Sequence, residues 1–297
     1  MPTFTLTKVA RFSFLFTFLL ATLGSVYHGE DESDSEPPPI SDENAHSFTV
    51  MDVEAMNVYR DERRTELIES LTLSNLSAEH QELIANAIAK SYIGIPVSSF
   101  TYSSKFDSSQ EEDEESPITY HVRSTGHIQR ENLEVYHGLD TNNPFIYFPP
   151  VPFVSETGKL IKESDSTAQF AFDFKIPMED MNEDDMMADF VETMKWTFEV
   201  TVSKTDQAPE HITLKLAKPI RKRFLFKMTT LQMDFHYTYV DSCDCFAVSK
   251  LNTQMKGSAL FVGRLDETVE LTFTDISCEE PVRFLLPETE DSSIFMF

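Results

Sequence analysis

From residue 100 onward, hydrophobic and polar residues alternate over many short segments of the chain. The alternation is clearest at 100–106, 118–122, 170–174, 196–202, 212–216, 224–239 and 260–273. A period of two is the repeat of a β-strand that buries one face and exposes the other. About nine to eleven strands are predicted. Because short turns and no helices separate most of them, an antiparallel meander is the simplest topology.

Two helices are predicted before the strands. Apolar residues recur at three- and four-residue steps over 52–71 and again over 83–92. Ser77 stands where an N-cap is expected, and Gly94 stands where the second helix should end. A helical segment this small does not fold alone, so its apolar side is predicted to pack on the sheet. The predicted fold class is α+β and predominantly antiparallel β, with N-terminal helices followed by a curved, many-stranded meander that is half-barrel or barrel-like.

The first residues indicate export. Lys8 and Arg11 precede an uncharged apolar run at 12–26, which is typical of a secretory signal peptide. The small residues Thr22 and Gly24 predict cleavage after Gly24, which leaves a periplasmic or secreted protein. The competing interpretation is an uncleaved membrane anchor, but the run is shorter than the ~20 apolar residues that a spanning helix needs.

An acidic, Ser- and Pro-rich stretch at 29–43 follows, and it has too few apolar residues to offset its ordering entropy. We therefore predict that it is disordered. The chain divides into a signal peptide at 1–24, an acidic disordered tether at 25–48, a helical segment at 49–95, an antiparallel β domain at 96–280 and a C-terminal tail at 281–297.

Composition restricts the partners that the chain can have. Its 297 residues include 50 acidic and 24 basic side chains, a net charge of -26, and 41% are hydrophobic. That much apolar sequence can bury a core. The negative charge repels a phosphate backbone, so nucleic acid is not an expected partner.

One group of cations, which we call the basic cluster, interrupts the acidic sequence. Its members are Lys215, Lys218, Arg221, Lys222, Arg223 and Lys227. One interpretation is charge balance against the acidic loops. The other is a docking surface for an acidic protein or an anionic lipid surface.

The predicted buried face of the sheet is rich in Phe, Tyr, Leu and Met. Large aromatic side chains on the concave side of a curled sheet can line a ligand cavity, or they can fill an ordinary core under the helices. Both interpretations stay open at this point. The candidate ligand-binding residues, which we call the apolar face, are Phe172, Phe174, Trp196, Phe198, Phe224, Phe226, Phe235 and Tyr237.

The order of these elements resembles a known family. A signal peptide, an N-terminal helix and a curved antiparallel sheet resemble the LolA/LolB-like half-barrel proteins that bacteria export, with the similar pattern running over 196–273. Within it, WTFEVTVSKTDQAPEHITLKL resembles their hairpin with a polar turn. Members of that architecture bind acyl chains in an aromatic-lined cavity, so the resemblance implies an apolar or amphiphilic, lipid-like ligand. No motif matches residue for residue, and no functional residue is carried over.

Common catalytic and metal-binding motifs are absent from the sequence. It contains no G-x-G-x-x-G, G-x-S-x-G or H-E-x-x-H, and the EF-hand-like start at 180–184 lacks the required Gly and the final Glu. No cofactor, metal or catalytic residue is therefore predicted, which favours a non-catalytic binding protein. The alternatives are a structural or protein-interaction module with no ligand cavity, and an enzyme of an unrecognised class.

The chain has three cysteines, Cys243, Cys245 and Cys278. In an oxidising compartment the simplest interpretation is one disulfide that joins Cys278 to Cys243 or to Cys245 and leaves one thiol free. A fully reduced set, or a metal or redox site that includes His236, is the alternative.

Overall fold

A computed structural model describes residues 48–91, 94–108, 112–114, 116–124, 128–130, 135–136, 143–145, 153–174, 194–222, 226–259 and 263–287. The predicted signal peptide and almost all of the predicted tether lie outside these residues, and so does the EF-hand-like stretch. Both predictions about the N-terminus therefore stay predictions.

The described residues form two helices and sixteen strands. The helices are α1 (Val53–Leu71) and α2 (Ala78–Ser91). The strands are β1 (Phe48–Asp52), β2 (Ile95–Pro96), β3 (Ser98–Ser108), β4 (Glu112–Glu114), β5 (Ile118–Val122), β6 (Ile128–Arg130), β7 (Val135–Tyr136), β8 (Val154–Glu163), β9 (Thr167–Phe174), β10 (Trp196–Ser203), β11 (Ala208–Leu216), β12 (Ile220–Lys222), β13 (Phe226–Val240), β14 (Cys245–Ala259), β15 (Gly263–Cys278) and β16 (Arg283–Pro287).

One large curved sheet dominates the fold and confirms the predicted class. Its main path runs β7-β6-β5-β3-β15-β14-β13-β11-β10-β9-β8, with β4 paired to β3 and β12 paired to β13, all antiparallel. From β8 to β15 the path is a meander, and the β15–β3 pairing joins it to the earlier strands. β-Bulges interrupt the β13–β14 and β15–β3 ladders, and such bulges bend and twist a sheet.

The predicted number of strands is too low because several strands are very short. β4, β6, β7 and β12 each have only two or three residues, too few to show an alternating pattern. Their place in the sheet depends on pairing with longer neighbours, which a local pattern does not reveal.

A second, three-stranded sheet joins distant parts of the chain in the order β1-β16-β2. β16 lies in the segment that the sequence assigns to a C-terminal tail, and β1 begins at the last residue of the assigned tether. Leu285 of β16 is fully buried. Gly94 has a φ of 70°, a backbone conformation that favours glycine and suits the end of the helical segment. A Cβ at this position would lie 2.9 Å from the Leu285 carbonyl oxygen, so glycine also allows β16 to approach closely.

The two helices begin at side-chain caps. Asp52 Oδ1 accepts a hydrogen bond from the Ala55 amide at 2.8 Å, and Ser77 Oγ accepts one from the His80 amide at 3.2 Å, as predicted for Ser77. The predicted apolar side of α2 is confirmed, and it packs against β10, β11 and β14. α1 contacts α2, β8 and the small sheet.

The disulfide joins Cys243 to Cys278, and Cys245 is a buried free thiol. Cys243 lies in a short 3-10 turn between β13 and β14, and Cys278 ends β15. Of the two pairings that the sequence allows, the structure therefore selects the first.

Alkylation of the denatured, unreduced protein tests this pairing. One thiol per chain should react, and the labelled peptide should contain Cys245. The folded protein should react slowly at neutral pH, because burial raises the pKa of the Cys245 thiol to about 12 and the thiolate is the reactive form. C245A is the control and should leave no reactive thiol. A label on Cys243 or Cys278 would contradict the pairing.

Candidate functional site

The interior of the curved sheet contains a continuous row of large apolar side chains. Phe198 of β10 lies opposite Phe172 of β9 and Leu214 of β11, and Leu214 lies opposite Met233 of β13. All four are 2% exposed or less. Phe153 stacks on Phe172 with a centroid distance of 4.0 Å. Burial of such side chains contributes about 1.5–3 kcal/mol each to folding, so this row is a main source of stability.

The structure brings most of the apolar face together in this interior. Its buried members are Phe172, Phe174, Trp196, Phe198 and Phe235, each at most 4% exposed. Tyr237 is partly exposed, Phe226 lies on β13, and Phe224 is outside the described residues. The buried members are closed off from solvent, so they lie inside the fold and form no open surface.

Two polar groups of the apolar face are buried without a hydrogen-bond partner among the described residues. They are the Trp196 indole nitrogen, Nε1, and the Tyr237 hydroxyl. Burial raises the pKa of the Tyr237 hydroxyl, so this group is a neutral donor. Buried indole N–H and phenol O–H groups usually have a partner, and an orphaned one costs about 1–3 kcal/mol. Sequence alternation places both residues on this face but does not reveal that they are unpaired.

These two donors lie at opposite ends of the apolar face. Trp196 lies two residues before Phe198, and Tyr237 lies four residues after Met233, which is in the same row as Phe198. β10 and β13 run in the same direction, because each is antiparallel to β11. A rise of about 3.4 Å per residue therefore separates the donors by about 20 Å.

The opposite side of the same strands carries a network of charged and polar groups. Asp234 accepts hydrogen bonds from Thr213 Oγ1 at 2.8 Å and from Gln232 Nε2 at 2.8 Å, and its Oδ1 lies 3.3 Å from His211 Nε2. Burial alone would raise the pKa of Asp234, but the bonds from His211, Gln232 and Thr213 outweigh burial and hold that pKa below its usual value. The His211 and His236 rings stack at 4.5 Å as cross-strand partners.

This network lacks the geometry of a catalytic triad. His211 Nε2 approaches both Asp234, at 3.3 Å, and Thr213 Oγ1, at 3.3 Å. A triad histidine uses one ring nitrogen for the carboxylate and the other for the nucleophile. Here the Thr213 hydroxyl donates directly to the carboxylate, so the arrangement holds charge in place and does not activate the hydroxyl.

At least one member of the basic cluster is already paired with a carboxylate of the chain. Lys215 Nζ pairs with Glu199 Oε1 at 2.7 Å on the polar side of the sheet. Arg221 and Lys227 are direct cross-strand partners of β12 and β13, and Lys218 is exposed. Lys222 ends β12, and Arg223 lies outside the described residues.

Comparisons with known proteins add one result. No protein-family model and no curated protein matches the chain. Among solved structures, a crystal structure of a LolA superfamily protein from Nitrosomonas europaea matches with 10% identity and a TM-score of 0.31, over 67% of this chain and 93% of that chain. The match supports no conclusion about a ligand or an activity.

The part of the chain that the structure describes has two further properties. Neither helix there is long and apolar enough to cross a membrane. No three His, Cys, Asp or Glu side chains of that part are grouped so as to hold a metal ion.

The stacked histidine pair predicts a pH dependence of stability. The pKa of His236 lies below 6.5 because of burial first and the positive charges of His211 and Lys250 next, with Asp234 opposing them. The unfolded chain therefore binds this proton more tightly than the folded chain. We expect the free energy of unfolding to fall as the pH drops below about 6.5, whereas above that pH His236 is neutral in both states and has no effect.

Urea unfolding at about pH 7.5 and about pH 5.5 measures this effect. The loss of stability on acidification should be smaller in H236Q than in the wild type. H121Q, on β5 and outside the network, is the control for the loss of a histidine and should behave as the wild type does. An equal loss in all three proteins would contradict the assignment.

Proposed function

We propose that this chain is an exported, non-catalytic protein that binds an apolar or amphiphilic, lipid-like ligand inside its curved sheet. The observation that carries the proposal is the apolar face with its two orphaned donors, Trp196 Nε1 and the Tyr237 hydroxyl. A folded chain normally gives such groups a partner. A ligand with apolar carbon along the sheet and oxygen acceptors near its ends supplies both kinds of contact.

The burial of the apolar face determines how the ligand binds. The ligand occupies the space between the sheet and its covering segments, where apolar area removed from water contributes about 25 cal/mol per Å². The two donors determine the orientation of the ligand, because each favours an acceptor oxygen at its own end of the apolar face. The proposal therefore favours a long ligand with at least one ester, carboxyl or hydroxyl oxygen.

Export is supported by the disulfide. Cys243–Cys278 is of the kind that persists in oxidising compartments such as the periplasm or the extracellular space. It agrees with the apolar run at 12–26, which we take as a signal peptide cleaved after Gly24.

The exposed part of the basic cluster is proposed as a docking surface for an acidic protein or an anionic lipid surface. Arg221 and Lys227 lie directly opposite each other, and like charges in such positions destabilise a sheet unless an anion screens them. Lys215 contributes less than the sequence suggests, because Glu199 already neutralises it.

One observation favours a second function, a structural or interaction module with no ligand cavity. The ring centroid of Phe153 lies 4.0 Å from that of Phe172 and 5.4 Å from that of Phe198, and such close ring contacts are typical of an ordinary core. The two functions predict different effects of removing the Tyr237 hydroxyl on ligand affinity, and that difference can be measured.

Titration of residues 25–297 with laurate tests the proposal, with Trp196 as the reporter because it is the single Trp of the chain. We expect a saturable change in fluorescence and an affinity about 2–10-fold weaker in Y237F, because one hydrogen bond contributes about 0.5–1.5 kcal/mol. Ligand-free Y237F should be at least as stable as the wild type, since its lost hydroxyl has no described partner.

Y239F is the matched control. Tyr239 lies two residues further along β13, is exposed, and donates its hydroxyl to Asp244, so its loss should leave laurate affinity unchanged. The absence of saturable laurate binding, measured by fluorescence and by calorimetry, would overturn the binding proposal in favour of the structural module. Equal laurate affinities of Y237F and the wild type would remove Tyr237 from the site.

A further inference from the structure

Two cations converge where α1 and α2 pass the β10–β11 turn. The helices are antiparallel neighbours, and Arg64 of α1 donates from Nε to Asn86 Oδ1 of α2 at 2.5 Å. Arg60 precedes Arg64 by about one helical turn, and Lys90 follows Asn86 by about one turn. In an antiparallel pair, one step back along α1 and one step forward along α2 lead in the same direction, so Arg60 and Lys90 lie on neighbouring turns of the two helices.

Lys90 is held in this position by the neighbouring turn. Its Nζ donates to the Asp206 carbonyl oxygen at 2.6 Å, and Asn86 Nδ2 donates to Gln207 Oε1 of the same turn at 2.7 Å. Burial lowers the pKa of Lys90, the Asp206 carboxylate raises it, and the positive charge of Arg60 lowers it. That last effect agrees with the closeness of the two cations.

Arg60 is partly buried and has unused hydrogen-bonding capacity. Its Nη1 donates to Asn57 Oδ1 at 3.2 Å, and its guanidinium lies 5.8 Å from the centre of the Phe284 ring. Its Nε is buried and has no partner within the described residues. A guanidinium whose Nε has no partner can bind an oxyanion through two parallel hydrogen bonds, one from Nε and one from a terminal nitrogen.

Neither cation forms an ion pair with a carboxylate of the described part of the chain, although acidic residues outnumber basic ones in the sequence by 50 to 24. The nearby Arg64 does have such a partner, Glu82. The carboxylates of Asp206 and Asp244 accept hydrogen bonds from Ser203 and Tyr239 instead. Asp206 and Asp244 attract Lys90 and Arg60 without pairing with them, so the two partly buried cations keep hydrogen-bonding capacity that a bound anion can use.

We propose that Arg60 and Lys90 form a binding site for an oxyanion, the carboxylate or phosphate group at the head of the bound amphiphile. This inference rests on the proposed function for the source of the anion; the same chemistry would also bind free phosphate. Lys90 bonds Asp206, which follows the C-terminal end of β10, and β13 is parallel to β10 and has Tyr237 near its own C-terminal end. The site is therefore at the Tyr237 end of the apolar face, and the apolar chain of the ligand runs from there toward Trp196.

Calorimetric titration with laurate, dodecanol and inorganic phosphate tests the site. Laurate and dodecanol have the same chain and differ in the head group, so their affinity ratio isolates the contribution of the charge. We expect the wild type to bind laurate about tenfold or more tightly than dodecanol, because a hydrogen bond to a charged group is stronger than a neutral one. R60Q and K90Q should each lose most of this preference while still binding dodecanol.

The controls separate a binding role from a folding role. R123Q removes an exposed cation at the end of β5 and should keep the preference for laurate. R60K keeps the positive charge but loses the paired N–H donors of the guanidinium, so it should retain part of the preference for laurate even if R60Q folds poorly. Equal affinities for laurate and dodecanol in the wild type, or an unchanged preference in R60Q and K90Q, would overturn the site.

The phosphate arm separates this inference from the proposed function. If neither amphiphile binds, the proposed function fails, and the site stands only if phosphate binds to the wild type and is lost in R60Q. If phosphate does not bind either, both fail. Competition between phosphate and laurate in the wild type would support one shared site.

Discussion

The fold depends on covering one side of a very large antiparallel sheet with apolar contacts. α2 provides much of this cover, because its small residues Ala85, Ala87 and Ala89 are buried between Leu83, Ile84 and Ile88 and let the helix approach β10, β11 and β14 closely. The buried side chains of that helix and the row through Phe172, Phe198, Leu214 and Met233 belong to one hydrophobic core. The small sheet formed by β1, β2 and β16 holds both ends of the helical segment in place.

Polar groups on the two sides of the sheet differ in whether they have partners within the chain. On the outer side, charges are matched within the chain, as in Lys215–Glu199 and the bonds to Asp234. On the inner side, Trp196 and Tyr237 keep polar groups that the described chain does not satisfy, and the buried Arg60 Nε has no described partner either. These unsatisfied groups lie along or beside one apolar face, and the account of a bound amphiphile follows from that arrangement.

Local pattern was sufficient for the elements that are long enough to repeat. The two-residue alternation in β10 and β13 and the helical spacing in α2 predict those elements and the buried face that contains Phe198 and Phe235. What local pattern does not predict is pairing over long distances. The apolar run at 283–287 does not show that it pairs with 48–52, and the Cys-x-Cys spacing does not choose between Cys243 and Cys245. The stacking of His211 on His236 and the approach of Arg60 to Lys90 depend on strand register and helix packing, which only the folded chain defines.

The most direct measurement is native mass spectrometry of residues 25–297, purified from an exporting host without detergent. The account predicts a bound mass that organic solvent removes and that identifies an apolar or amphiphilic compound with an oxyanion head. A protein of unmodified mass that takes up neither added laurate nor phospholipid would contradict it, and the apolar face would then be the core of a structural module.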